Sequence, residues 1–115
     1  MSMKNLNPLR TLLQGVAGQQ TTLPYQAVIK ALQLPTPAMR TLTQGLEILA
    51  WEDAVNQRPL VSAVVVQKGK PYPRPGFFGT AYALSLYDGP DEGAEAEMWH
   101  QDQLEKVWSY YSTPA

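Results

Sequence analysis

The sequence predicts a mainly α fold with a small β element. Three observations predict it. Tyr25–Leu46, YQAVIKALQLPTPAMRTLTQGL, carries apolar residues at helical spacing in two stretches, parted by the Pro35–Thr36–Pro37 turn. A valine-rich segment, Leu60–Gln67, follows and reads as a strand. A basic, aromatic, proline-rich loop comes next, KGKPYPRPGFF. Helix, turn, helix, strand and loop in that order form the skeleton of a winged-helix domain. At 115 residues the chain is long enough for a modest core without metal or disulfide support, so one domain is expected. Its winged-helix-like core spans about 8–76 and a C-terminal helical extension spans about 77–115.

The first helix is expected over about 8–17. Asn7 is placed to cap it and Pro8 fits the first turn, where an amide donor is not needed. Leu9, Leu12, Leu13 and Val16 give it one apolar face, and Gly18 is its expected stop. The second helix covers about 24–33 through Tyr25, Val28, Ile29 and Leu32, and ends before Pro35. The third begins with Thr36 as cap and Pro37 at the first position. Met39, Leu42, Leu46 and Leu49 make its buried stripe, and it runs to about Val55. Leu60–Gln67 is apolar on both faces and should be covered on both. Lys68–Gly76, with three prolines and two glycines, is irregular. Another helix is expected over Phe77–Leu86, a loop over Asp88–Gly93, and a last helix over about 94–111. Leu104, Val107, Trp108 and Tyr111 should be buried there, with Met98 and Trp99 near its start.

Composition excludes several chemistries. Without cysteine there is no disulfide, thiolate ligand or thiol nucleophile. His100, the one histidine, makes a histidine zinc site or a Ser–His–Asp triad an unsuitable reading. No phosphate-binding glycine loop is present, and no catalytic residue, metal or cofactor is assigned; the chain is read as non-enzymatic. His100 reads as a packing residue, and Trp51, Trp99 and Trp108 as core or core-edge side chains. The acidic residues near Glu95 and Glu97 suit a helix N-terminus better than a metal. The N-terminus lacks an apolar signal-like run and no segment reaches membrane-spanning length, so a cytoplasmic location off the membrane is expected.

Net charge is −1, but it is unevenly spread. Residues 1–86 carry eight basic and three acidic side chains, a balance of +5, and residues 87–115 carry one basic and seven acidic, a balance of −6. The basic part offers a candidate nucleic-acid surface. Arg40, Thr41 and Gln44 on the third helix are of the types that read base edges and phosphates. Lys68, Lys70 and Arg74 in the loop, with Tyr72, suit phosphate contacts and stacking. Tyr72, Phe77 and Phe78 are equally candidate anchors for a protein partner.

Tyr25 and Val28, Ala31-Leu32, Pro37, Ala38, Arg40, Leu46 and Pro59-Leu60 together resemble the winged-helix domain of the O6-alkylguanine-DNA alkyltransferases and their alkyltransferase-like relatives. The resemblance spans Tyr25 to Gly76, about half the chain. It implies a winged-helix topology and a DNA-entering role for Arg40. The family's Pro-Cys-His-Arg motif is missing, and Ser62-Ala63-Val64-Val65-Val66 stands in that region, so alkyl transfer is not implied. Two functions therefore fit: a protein-interaction module, through another protein or self-association, and a nucleic-acid-binding winged-helix protein. The acidic pI of about 5.7 favours the first.

Overall fold

The fold is seen in a computed structural model that describes residues 5–112. It is mainly helical, with a two-stranded parallel sheet. Helices α1 (Asn7–Gly18), α2 (Tyr25–Leu32), α3 (Ala38–Val55), α4 (Pro75–Ala83) and α5 (Ala94–Tyr111) follow the predicted order. Strand β1 (Leu23–Pro24) precedes α2 and β2 (Val65–Val66) follows α3; Leu23 pairs with Val65 and Pro24 with Val66.

The expected strand Leu60–Gln67 is mostly something else. Val61–Val64 forms a 3-10 turn, and only Val65–Val66 is extended in the sheet. Its burial follows the composition: Leu60 to Val66 are all buried. With α1, α3 and α5 packed against it, the turn is the centre of the core. Leu9, Leu13, Val28, Leu42, Leu49 and Val107 form one cluster with its Val61 and Val64. The sequence period could not separate a short extended run from a 3-10 turn, because surroundings on every side leave no polar face to set a phase.

Helix ends depart from the expected caps. The residue before α1 is Leu6, not Asn7, and Asn5 Oδ1 accepts from the Asn7 N–H at 3.0 Å. Pro37, rather than Thr36, precedes the first turn of α3, with no side-chain cap. Helix α1 ends at Gly18, as expected, and the left-handed residue that turns the chain is Gln20, whose φ is 56°. A Cβ on Gly18 would lie 3.3 Å from the Tyr111 carbonyl oxygen, so this glycine lets α1 and α5 approach. Gln33, Gln57 and Ser85 have φ of 51°, 57° and 63° after α2, α3 and α4. In each case the next amide donates back into the helix, as Arg58 does to the Asp53 carbonyl at 2.8 Å.

A second, aromatic cluster joins α4 to α5. Phe77 and Phe78 meet edge to face at 5.4 Å, and Tyr87 stacks on Trp99 at 4.5 Å. Tyr72 lies edge-on to Phe78, and its hydroxyl accepts from the Gly93 N–H at 3.2 Å. Met98, expected inside, is 73% exposed, while Ala96 and His100 take the inner face of α5.

Asp53 ties α1, α3 and the 3-10 turn together. It is fully buried. Its Oδ1 accepts from Arg10 at 2.8 Å and Arg58 at 3.0 Å, and its Oδ2 from the Val61 N–H at 3.0 Å. His100 fixes α5 in the same way: its Nε2 lies 2.7 Å from the Ala63 carbonyl oxygen, to which Nε2–H donates. Burial pushes the His100 pKa below its ordinary value, against the opposing pull of the Ala63 and Pro71 carbonyls.

Candidate functional site

A cleft of about 410 Å³ opens between α3 and α4. Helical spacing places Thr43, Leu46, Glu47 and Ala50 on one wall, with Gln44 beside them. The first turn of α4 supplies Pro75, Gly76 and Phe77 on the other, with Arg74 just before it. Tyr25, from the start of α2, and Ser62, from the 3-10 turn, also line it.

Polar contacts set this geometry. The Arg74 N–H donates to the Tyr25 hydroxyl at 3.0 Å, and the Arg74 guanidinium carbon lies 5.9 Å from the centre of the Tyr25 ring. Burial pushes the Tyr25 phenol above its ordinary value, against its contacts with Arg74. The basic loop is also pinned from behind. Gln67 N–H donates to the Tyr72 carbonyl at 3.1 Å and its side-chain amide to the Pro73 carbonyl at 3.1 Å. Gly69, with φ 82°, makes the turn at its tip.

The structure divides the residues expected at a binding surface. Gln44, Arg74 and Phe77 meet in the cleft. Arg40, Lys68 and Lys70 are exposed but do not line it, and neither they nor Arg74 form an ion pair among the described residues. Thr41 is 1% exposed and its hydroxyl donates to the Pro37 carbonyl at 2.9 Å, so it does not face a groove. It follows Arg40 by one residue, and about 100° of helix turns it inward. Tyr72 and Phe78 are buried in the aromatic cluster and present no ring to a partner; Phe77 is half-buried. Among the described residues no group of three or more His, Asp or Glu side chains is placed to hold a metal ion. Among the described residues no helix is long and apolar enough to cross a membrane.

Tyr25, Glu47 and Ser62 line the cleft without having been among the expected site residues; Tyr25 was expected only on the apolar face of the second helix. Ser62 had a signal: it is a hydroxyl inside the otherwise apolar run Leu60–Val66.

An exposed apolar stripe lies on α3 near the cleft. Ile48, Trp51 and Val55 are 44%, 42% and 75% exposed and stand at i, i+3 and i+7. Trp51 is therefore a surface residue and not the core-edge side chain expected. No protein-family model, curated protein or solved structure matches this chain.

Proposed function

We propose that this chain is a non-enzymatic protein-interaction module on a winged-helix-like frame, and that it associates with a second copy of itself through α3. The order α1, β1, α2, α3, β2 supports the frame. The Ile48–Trp51–Val55 stripe carries the reading. Three large apolar side chains in one row on an 18-residue helix are costly to leave in water. An antiparallel pairing of two α3 helices sets Ile48 of one copy beside Val55 of the other and Trp51 near the two-fold axis. Such a surface is complementary to itself.

Sedimentation equilibrium tests this. A reversible dimer is expected at about 0.1 mM protein, a range in which weak association is measurable. Trp51→Glu with Val55→Glu should return it to a monomer with unchanged helicity. A wild-type chain that stays monomeric at that concentration overturns the reading.

A second reading, nucleic-acid binding, is favoured by the exposed Arg40, Lys68, Lys70 and Arg74, which form no ion pair among the described residues, with Gln44 close to them in sequence or in the cleft. It predicts salt-sensitive binding of duplex or single-stranded DNA that Arg40→Ala with Lys70→Ala weakens. Absence of a salt-sensitive shift removes it.

A further inference from the structure

We propose that the cleft between α3 and α4 binds a small zwitterion with an apolar side chain, a ligand of the class of free apolar α-amino acids. This site is separate from the α3 stripe and does not depend on self-association.

Ser62 is the observation that points to a ligand. It is 3% exposed, it lines the cleft, and its Oγ has no hydrogen-bond partner among the described residues. Buried hydroxyls are normally satisfied, and an unpaired one in the wall of a cavity is a group prepared for something that enters it. The neighbouring groups give the sign of that partner. Tyr25 accepts from the Arg74 N–H and keeps its own proton to donate. The Arg74 guanidinium is held over the Tyr25 ring with no carboxylate beside it among the described residues. The nine-residue α4 presents its N-terminal, positive end to the same space at Gly76, while the Phe77 N–H is taken by the Arg74 carbonyl at 3.0 Å. A guanidinium, two hydroxyl donors and a helix N-terminus suit a carboxylate.

Glu47 decides against a simple anion. It lines the α3 wall and has no ion-pair partner among the described residues. It would repel a carboxylate that brought no positive charge, and it is placed to accept from an ammonium. Leu46, Ala50 and Phe77 supply the apolar surface between the two ends. The volume of about 410 Å³ lies at the small end of the range for ligand pockets, which fits one amino acid better than a peptide segment.

Isothermal titration calorimetry with leucine, N-acetylleucine and leucinamide tests the proposal, with isoleucine, methionine and phenylalanine as alternatives. Saturable binding of at least one free amino acid is expected, with both blocked forms weaker by about tenfold or more. Glu47→Gln should remove the penalty for blocking the amine, and Arg74→Gln the penalty for blocking the carboxylate. Ser62→Ala, which removes one oxygen, should weaken binding about tenfold. Circular dichroism of the variants checks that they fold. The proposal is overturned if none of the four amino acids saturates the chain at about 10 mM. It is also overturned if blocked and free leucine bind alike, or if folded Ser62→Ala binds as wild type. Trp51→Glu should leave binding intact, so failure here and failure of self-association are separate results.

Discussion

Asp53 is the side chain on which most depends. It accepts hydrogen bonds from Arg10, Arg58 and the Val61 amide while fully buried. Removing a buried ion-pair partner strands the groups it satisfied, at a cost of about 3–5 kcal/mol. Arg10 and Arg58 keep 18% and 32% exposure, which lets water take over part of their solvation, so the lower end applies. Asp53→Ala is expected to destabilise by about 3 kcal/mol in urea unfolding. Glu52→Ala, which removes only the half-exposed partner of Arg10, should change stability by less than about 1 kcal/mol. The position of Asp53 was legible: Leu42, Leu46, Leu49 and Asp53 form one helical row, so the pattern itself places this carboxylate inside. Its partners were not, because Arg10 and Val61 approach only through the fold.

Among the elements, α2, α3 and α4 share a device that the sequence hides, and α1 shares it too. Each is followed by a non-glycine residue in the left-handed region: Gln20, Gln33, Gln57 and Ser85. That conformation crowds a Cβ against the backbone, at roughly 1–2 kcal/mol for a residue other than glycine. Glycine relieves the crowding but loses more entropy on folding. Gln33→Gly and Gln57→Gly should therefore raise stability by about 0.5–1 kcal/mol each, read as an increase in Tm. Gln20→Gly should gain less, because it loses the hydrogen bond from the Gln20 side chain to Ser112 Oγ at 3.3 Å. Glycine is the usual signal for such a turn, and here glutamine or serine occupies the position, so the end of α1 at Gly18 was legible but the left-handed Gln20 after it was not. By contrast α5 was legible from 94 to 111, since Gly93 precedes it and acidic residues fill its first turn. The single strand expected over Leu60–Gln67 was not, because uniform burial erases the period that tells a strand from a turn.

At the scale of the whole molecule, charge and burial act together on pH dependence. His100 is held neutral by burial, so its folded-state pKa lies below the unfolded value of about 6.5. The unfolded chain then binds the extra proton, and stability falls as pH drops below about 6.5. Thermal unfolding should show a Tm that declines from pH 7 toward pH 5, with a smaller decline in His100→Gln; an equal decline in both assigns the loss to other groups. The candidate cleft was legible only in pieces. Gln44, Arg74 and Phe77 could be named from their types, but Tyr25, Glu47 and Ser62 join them through the packing of α2, α3 and α4 around the 3-10 turn. The charge division between residues 1–86 and 87–115 is plain in the sequence, yet α5 meets α1 and the 3-10 turn through apolar side chains and His100 and turns Glu95, Glu97 and Asp102 to solvent.

The central position of Val61–Val66 has a consequence for biosynthesis. The segment is apolar, rich in β-branched residues and almost without charge, the composition of an aggregation-prone stretch. Helices α1 and α3 are made before it, but α5 is the last helix to emerge. At about 5–20 residues per second, roughly 2–9 s pass between synthesis of Val66 and synthesis of Tyr111. During that interval the Ala63 carbonyl has no His100 to receive and one side of the future core is open. The nascent chain is thus most exposed to wrong partners while its best-protected residues in the finished molecule are waiting for the final helix.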